Sequence, residues 1–149
     1  MAEPCLMSLS ATDLSARIER REVSAVEAVT SALSLISERD GEIHAFVTLG
    51  AEEALAAARD IDARLARGEF VGPLAGVPVA IKDLLSTKGM RTTFGSRHYA
   101  DHVPSEDDVA VERLRAAGAI IIGKTNTSEF GYGAVPHNAL FATTRNPWD

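Results

Sequence analysis

The stretch of sequence that decides the fold is residues 105–122, SEDDVAVERLRAAGAIII. It opens with acidic residues, which favour the first turn of a helix, and Arg113 and Arg115 lie toward its end, as the helix dipole prefers. The pattern therefore predicts that residues 105–108 cap a helix running to Gly118. The apolar run 119–122 follows at once and is typical of a strand covered on both faces.

A second strand is predicted upstream, where the β-branched run VPVAIKDLL occupies residues 77–85. Between this run and the helix, residues 88–103 contain glycines at 89 and 95 and indicate a loop. The order strand, helix, strand predicts an α/β fold. We expect this core to occupy residues 69–149.

Residues 1–68 predict a helical N-terminal region. Capping boxes begin at Ser10 and Ser24, each followed by apolar residues at helical spacing, and Gly41 is predicted to end the second helix. Residues 44–49 are short and β-leaning, and residues 51–67 repeat the helical pattern.

Composition excludes several classes of function. The chain has 149 residues, 46% of them apolar, and a net charge of −6 without a basic block, so it has no electrostatic footprint for nucleic acid or anionic lipid. No apolar run approaches the roughly 20 residues that a membrane-spanning helix needs. The single cysteine, Cys5, has no internal disulfide partner. We therefore expect a cytoplasmic protein that binds neither membranes nor nucleic acid through this segment.

Lys82 is the first candidate functional residue. The two-residue period of a strand places it on one face with Pro78 and Ala80, at the end of a strand that the pattern indicates is buried. Burying an ammonium without a partner is costly, so such a lysine pairs with a carboxylate or loses its proton. Two interpretations follow: a structural ion pair or strand-end lysine, and a neutral lysine that acts as general base toward a hydroxyl nucleophile.

Asp83 follows Lys82 directly but points to the opposite face of the strand, so we expect it to hold a loop rather than bind Lys82. Residues 118–125, GAIIIGKT, satisfy the P-loop pattern letter for letter. A P-loop needs a small, bending loop between strand and helix, whereas the isoleucines here predict a strand. We expect no phosphate site there.

Four motifs resemble those of amidase signature enzymes. Residues 72–83, GPLAGVPVAIKD, are similar to the segment around the catalytic lysine of that family. Residues 92–96 (TTFGS), 117–130 (AGAIIIGKTNTSEF) and 144–149 (TRNPWD) follow in family order and cover, together with the first, about the last half of the chain. The resemblance implies an α/β/α core around a mixed central sheet, of which this chain holds the N-terminal part.

The resemblance also implies a reaction, the hydrolysis of a carboxylic amide by a Ser–Ser–Lys triad with Lys82 as the base. It implies a small-molecule amide substrate and neither a metal nor an organic cofactor. Family positions matching Gly131, Tyr132 and Gly133 border the acyl pocket, although two glycines around an aromatic residue also suit a plain turn.

The chain departs from the family at the nucleophile. The Gly/Ser-rich stretch with both catalytic serines follows the Asn-Pro-Trp-Asp turn in the family, and no serine here has a Gly-Ser-Ser-Gly context. We therefore expect the chain alone to be inactive. The turn itself is expected to be architectural, with Trp148 buried.

Two alternatives stay open. One is the A subunit of the tRNA-dependent amidotransferase, although residues 126–133, NTSEFGYG, lack the methionine-rich form associated with it. The other is a truncated, inactive fragment that acts by self-association or by binding a complementing C-terminal piece.

Overall fold

The computed structural model describes residues 5–148 and has the predicted α/β architecture. Within that range the helices are α1 (Ala11–Glu19), α2 (Ala25–Ile43), α3 (Ala51–Ala66) and α4 (Val109–Ala116), and the strands are β1 (Phe46–Leu49), β2 (Pro78–Lys82) and β3 (Ile120–Thr125). Short 3-10 turns cover Leu6–Ser8, Arg97–Tyr99 and Glu129–Gly131. No helix in the described range is long and apolar enough to cross a membrane.

The three strands form one mixed sheet in the order β1-β3-β2. β1 pairs antiparallel with β3, with Phe46 opposite Thr125. β2 is parallel to β3: Ile120 N–H donates to Val77 O (2.8 Å), and further along both strands Asp83 N–H donates to Thr125 O (2.9 Å). The central strand β3 is buried from residue 120 to 124, which confirms the prediction of a strand covered on both faces.

The chain divides into two compact units that interleave along the sequence. The first comprises the residues up to Leu35, Ala51–Val79 and Arg113–Ile122, and the second comprises Ile36–Gly50, Ala80–Glu112 and the residues from Gly123 onward. The predicted division into a helical region at 1–68 and a core at 69–149 follows sequence pattern rather than these units, and it stays a prediction.

The two units bury different kinds of side chain. In the first unit the core is apolar and rich in alanine, with Ala25, Ala28, Ala54 and Ala58 almost fully covered. In the described part of the second unit, Ile81 and Val111 are the buried apolar residues, and the other buried side chains are mainly polar. The polar ones are Asp83, Thr87, Thr92, Thr93, Ser96, Lys124, Asn126, Thr127, Ser128 and Asn138. A polar interior needs hydrogen bonds throughout, so this unit is where a site is expected.

Both predicted N-terminal caps are present, and the one at Ser24 is a reciprocal capping box. The Ser10 hydroxyl accepts from Asp13 N–H (3.1 Å) at the start of α1. The Ser24 hydroxyl accepts from Glu27 N–H (3.0 Å), and the Glu27 carboxylate accepts from Ser24 N–H in return. Local side-chain chemistry was therefore enough to place the start of these helices.

Three predicted boundaries are wrong. α2 continues past Gly41 to Ile43, and β2 ends at Lys82 rather than at residue 85, because Leu85 N–H turns back to bond Lys82 O (3.0 Å). α4 begins at Val109, directly after residues 105–108 as predicted, but it ends at Ala116 rather than at Gly118. The acidic side chains before it bind the preceding loop: the Asp108 carboxylate accepts from Ser86 N–H, and the Asp107 carboxylate accepts from Lys88 N–H.

Candidate active site

Lys82 lies at the end of β2 with its side chain exposed. The predicted alternation is present, since Ile81 is buried whereas Ala80 and Lys82 are exposed. The expectation that the lysine face is buried is wrong in this structure, because no part of the described chain covers that face. Among residues 5–148, no hydrogen bond or ion pair involves the Lys82 side chain. The Lys82 amine is thus not held by any other side chain or main-chain group in that range.

Asp83 is buried and holds a loop, in agreement with the face argument. Its carboxylate accepts from both the N–H (3.1 Å) and the hydroxyl of Thr93, ten residues further along the chain. Burial raises the pKa of the Asp83 carboxyl, and the hydrogen bonds from Thr93 oppose that shift. These hydrogen bonds close the residues from Asp83 to Thr93 into a loop, called segment 83–93 below, which follows Lys82 in the sequence.

Lys124, on β3, is the buried lysine of this site, and sequence reasoning missed it. Its side chain is 0% exposed, and its Nζ lies 3.9 Å from Asp83 Oδ1. Nζ donates to Leu85 O, to the Thr87 hydroxyl (2.9 Å) and to the Thr92 hydroxyl (2.8 Å). Burial lowers the pKa of Lys124 to about 8, and the carboxylate of Asp83 opposes that shift. The signal in the sequence was a lysine two residues after the run 119–122, which was predicted to be a strand covered on both faces.

Gly131 lies against Leu84, two residues beyond Lys82. Gly131 has φ +74°, and a Cβ on it would meet Leu84 Cδ1 at 2.8 Å, so both the backbone and the space require glycine. The Ser128 hydroxyl donates to Gly133 O and accepts from Gly133 N–H, both at 2.9 Å. Tyr132, between the two glycines, is 98% exposed. The structure thus brings one of the three predicted pocket residues next to the segment that follows Lys82.

An aromatic cluster that the sequence did not indicate lies beside this turn. Phe130 N–H donates to Phe94 O (2.8 Å), and the two rings stack with centroids 6.4 Å apart. Tyr99 meets the Phe94 ring edge-on at 5.1 Å. Phe94 and Phe130 both have positive φ, of 53° and 48°. These contacts hold residues 94–96 against residues 128–131.

Asn126 connects β3 to the C-terminal segment. Its side-chain amide donates to Ala142 O (2.9 Å), and its Oδ1 accepts from Asn138 Nδ2 (2.8 Å). Trp148, by contrast, is 93% exposed, so the expectation that the tryptophan is buried is wrong for this structure. The amide network, rather than the ring, holds this part of the chain.

The fold is a mixed α/β fold with a lysine at the end of one strand, and comparison with known proteins gives the family. The family model described as Amidase matches residues 27–149. Because this is most of the chain, the protein belongs to the amidase signature family of amide hydrolases.

Similar proteins with curated names or solved structures agree with this assignment. The chain is 51% identical over 144 residues to the A subunit of the glutamyl-tRNA(Gln) amidotransferase of Salinispora tropica, covering 97% of this chain and 29% of the relative. A solved bacterial aryl acylamidase of the amidase signature family superposes with a TM-score of 0.89 at 30% identity, covering 95% of this chain and 30% of its own. A complex described as revealing the origins of an s-triazine catabolic enzyme superposes at 0.89 with 39% identity, covering 95% of this chain and 31% of its own. The chain thus spans about 30% of the length of these relatives.

Proposed function

We propose that this chain supplies the general base, Lys82, of a Ser–Ser–Lys amidase that cleaves the C–N bond of a carboxylic amide. The observation that carries the proposal is the state of the Lys82 amine. It lies exposed at a strand end without a hydrogen-bond partner in the described range, whereas Lys124 uses its donors within the protein. A base must be within reach of the proton that it accepts. Of these two lysines, Lys82 meets that condition.

In this reaction the neutral Lys82 amine accepts a proton through a bridging serine, and the nucleophilic serine attacks the amide carbonyl. Backbone N–H groups stabilise the oxyanion, the C–N bond breaks, and the leaving amine takes up the proton. Water then hydrolyses the acyl-enzyme. The chain has no Gly-Ser-Ser-Gly sequence, and Ser96, which follows Gly95, is fully buried. We therefore propose that the chain supplies the base but neither serine.

Gly131, Tyr132 and Gly133 are proposed to border the acyl pocket. The contact between Gly131 and Leu84 supports this role, because it sets the turn beside the residues that follow Lys82. Tyr132 is exposed, so its ring is free to contact the acyl group of a substrate.

The A subunit of a tRNA-dependent amidotransferase is the second candidate. The 51% identity with the Salinispora tropica protein favours it, as does the 49% identity with that of Moorella thermoacetica. The sequence NTSEFGYG at 126–133 still lacks the methionine-rich form of that subunit. An amidotransferase would release ammonia from glutamine only with its partner subunits, whereas a simple amidase would act alone on small amides.

Two chimeras test the base and separate the candidates. Residues 5–148 replace the matching segment of the aryl acylamidase in one chimera and of the Salinispora tropica protein in the other. Hydrolysis of 4-nitroacetanilide and glutaminase activity with partner subunits are measured for both. We expect Lys82→Ala to lower kcat at least about 1000-fold, as the loss of a triad member does.

Lys88→Ala is the matched control, since Lys88 is an exposed lysine in the loop that follows, and it should stay within about twofold of the parent chimera. A Lys82→Ala chimera with the parent kcat would show that Lys82 is not the base. Activity in the acylamidase host alone favours the simple amidase, and activity in the partner-dependent host alone favours the amidotransferase.

A further inference from the structure

Lys124 is a fully buried cation whose acceptors all lie in one short stretch of chain. Besides the two threonine hydroxyls at 87 and 92, its Nζ donates to the main-chain O of Leu85. An ammonium has three donors, so this set uses all of them. With this bonding and 0% exposure, Lys124 has no donor left for a substrate, and its role must be exerted through other residues.

A path of hydrogen bonds leads from Lys124 to the proposed base. The Nζ of Lys124 donates to Leu85 O, and Leu85 N–H donates to the carbonyl O of Lys82 (3.0 Å). The turn that ends β2 is therefore held on both sides, by the strand on one side and by the buried ammonium on the other. The direction in which the Lys82 side chain leaves the strand depends on this turn.

Carboxylates complete the same cluster. Asp83 is the nearest to Nζ and closes segment 83–93 through Thr93. The negative charges of Asp107 and Asp108, which precede α4, raise the pKa of Lys124 and so oppose the effect of its burial. Their carboxylates accept hydrogen bonds from the N–H groups of Lys88 and Ser86, respectively. A neutral residue at position 124 would leave Leu85 O and two threonine hydroxyls without their donor. It would also leave the buried Asp83 without its neighbouring positive charge, and such groups are costly to leave unpaired.

We propose that Lys124 is a positioning residue for the amidase reaction: it fixes segment 83–93 so that Lys82 keeps its orientation toward the serine relay. This proposal rests on the proposed function of Lys82. It assigns a function to the lysine within the Gly-Lys-Thr sequence at 123–125, which resembles a phosphate-binding motif by letters alone.

The kinetic test uses whichever of the two chimeras described above is active. Lys124→Met removes the charge and keeps an unbranched side chain that is one heavy atom shorter. We expect kcat to fall about 10- to 100-fold, since a small misplacement of a catalytic group has such effects, while KM stays within about twofold. Lys88→Met is the control without effect. Thr92→Val, which removes one acceptor and keeps Lys124, should give a smaller fall in kcat and covers the case in which Lys124→Met does not fold.

Hydrogen exchange in the 149-residue chain provides a readout without catalysis. The amide of Leu85 should exchange at least about tenfold faster in Lys124→Met than in the parent, because the turn loses its anchor. Lys124→Cys, made in a Cys5→Ser background and alkylated in denaturant with 2-bromoethylamine, restores an amine at nearly the same length. After refolding, this lysine analogue should return the Leu85 exchange toward the parent rate, whereas alkylation with iodoethane, which adds no amine, should not.

The outcomes separate the two proposals. If Lys82→Ala lowers kcat but folded Lys124→Met and Thr92→Val keep the parent kcat and Leu85 exchange, the positioning role is wrong and Lys82 stands. If Lys82→Ala keeps the parent kcat, the base assignment is wrong and the positioning role is overturned with it. A loss of kcat together with faster exchange and rescue by the amine supports the positioning role.

Discussion

Two lysines on neighbouring strands have opposite environments. Lys82 is exposed and makes no side-chain hydrogen bond in the described range, whereas Lys124 is fully buried and uses three donors. A buried ammonium must pair with a carboxylate or lose its proton, and in this structure the buried lysine is Lys124 rather than Lys82. The motif identified one lysine, and the geometry added the other.

Lys124 gives the protein a distinct dependence of stability on pH. Burial lowers its folded-state pKa from 10.5 to about 8. Between those values the unfolded chain binds more protons, so the free energy of unfolding rises with pH, by at most about 1.4 kcal/mol per unit from this group. In urea titrations from pH 7.5 to 10, the unfolding free energy of the parent relative to that of Lys124→Met should therefore increase with pH. Groups that titrate in both proteins cancel in this difference. A difference that stays constant with pH would contradict the lowered pKa of Lys124 in the folded protein.

At the scale of elements, α2 is anchored by a side chain from α3. The Asp62 carboxylate accepts from Ala25 N–H (2.7 Å) and Val26 N–H (3.2 Å) in the first turn of α2. The capping box at Ser24 was readable from sequence because its members are three residues apart. Asp62 lies 37 residues from Ala25, so only the folded chain shows this second anchor.

Removal of this anchor should destabilise the first unit. Asp62→Ala leaves two helix N–H groups without their acceptor and also removes a negative charge from the start of α2. We expect a loss of about 1 to 2 kcal/mol in the free energy of unfolding, measured by urea denaturation with circular dichroism at 222 nm. Asp60→Ala is the control on the same helix, since its exposed carboxylate lies 4.0 Å from Arg64, and it should cost less than about 0.5 kcal/mol. Equal losses in both variants would contradict the anchoring role.

At the scale of the whole chain, we propose that these 149 residues carry the base of the triad but neither serine. The chain spans about 30% of the length of its relatives, and no serine lies in the sequence context of the family nucleophile. We predict that the 149-residue chain does not react with a fluorophosphonate probe, whereas an active chimera does. Heat-denatured chimera is the control for nonspecific reaction. Strong labelling of the chain alone that disappears on heating would show that it carries its own activated serine.

The sequence by itself determined the α/β class, the starts of α1 and α2, the buried strand β3 and the family. These features depend on neighbours in the chain: residue period, capping spacing and ordered motifs. It also placed Asp83 correctly as a residue that holds a loop, because adjacent strand residues point to opposite faces.

Only the tertiary structure decided what surrounds each side chain. It placed Lys124 among Leu85, Thr87 and Thr92, which are 32 to 39 residues away in sequence, and set Gly131 against Leu84. It also left Lys82 exposed, since burial depends on which elements cover a strand face and not on the strand pattern alone. Local spacing fixes which face a residue occupies, but the pKa and the hydrogen bonds of that residue depend on distant parts of the chain.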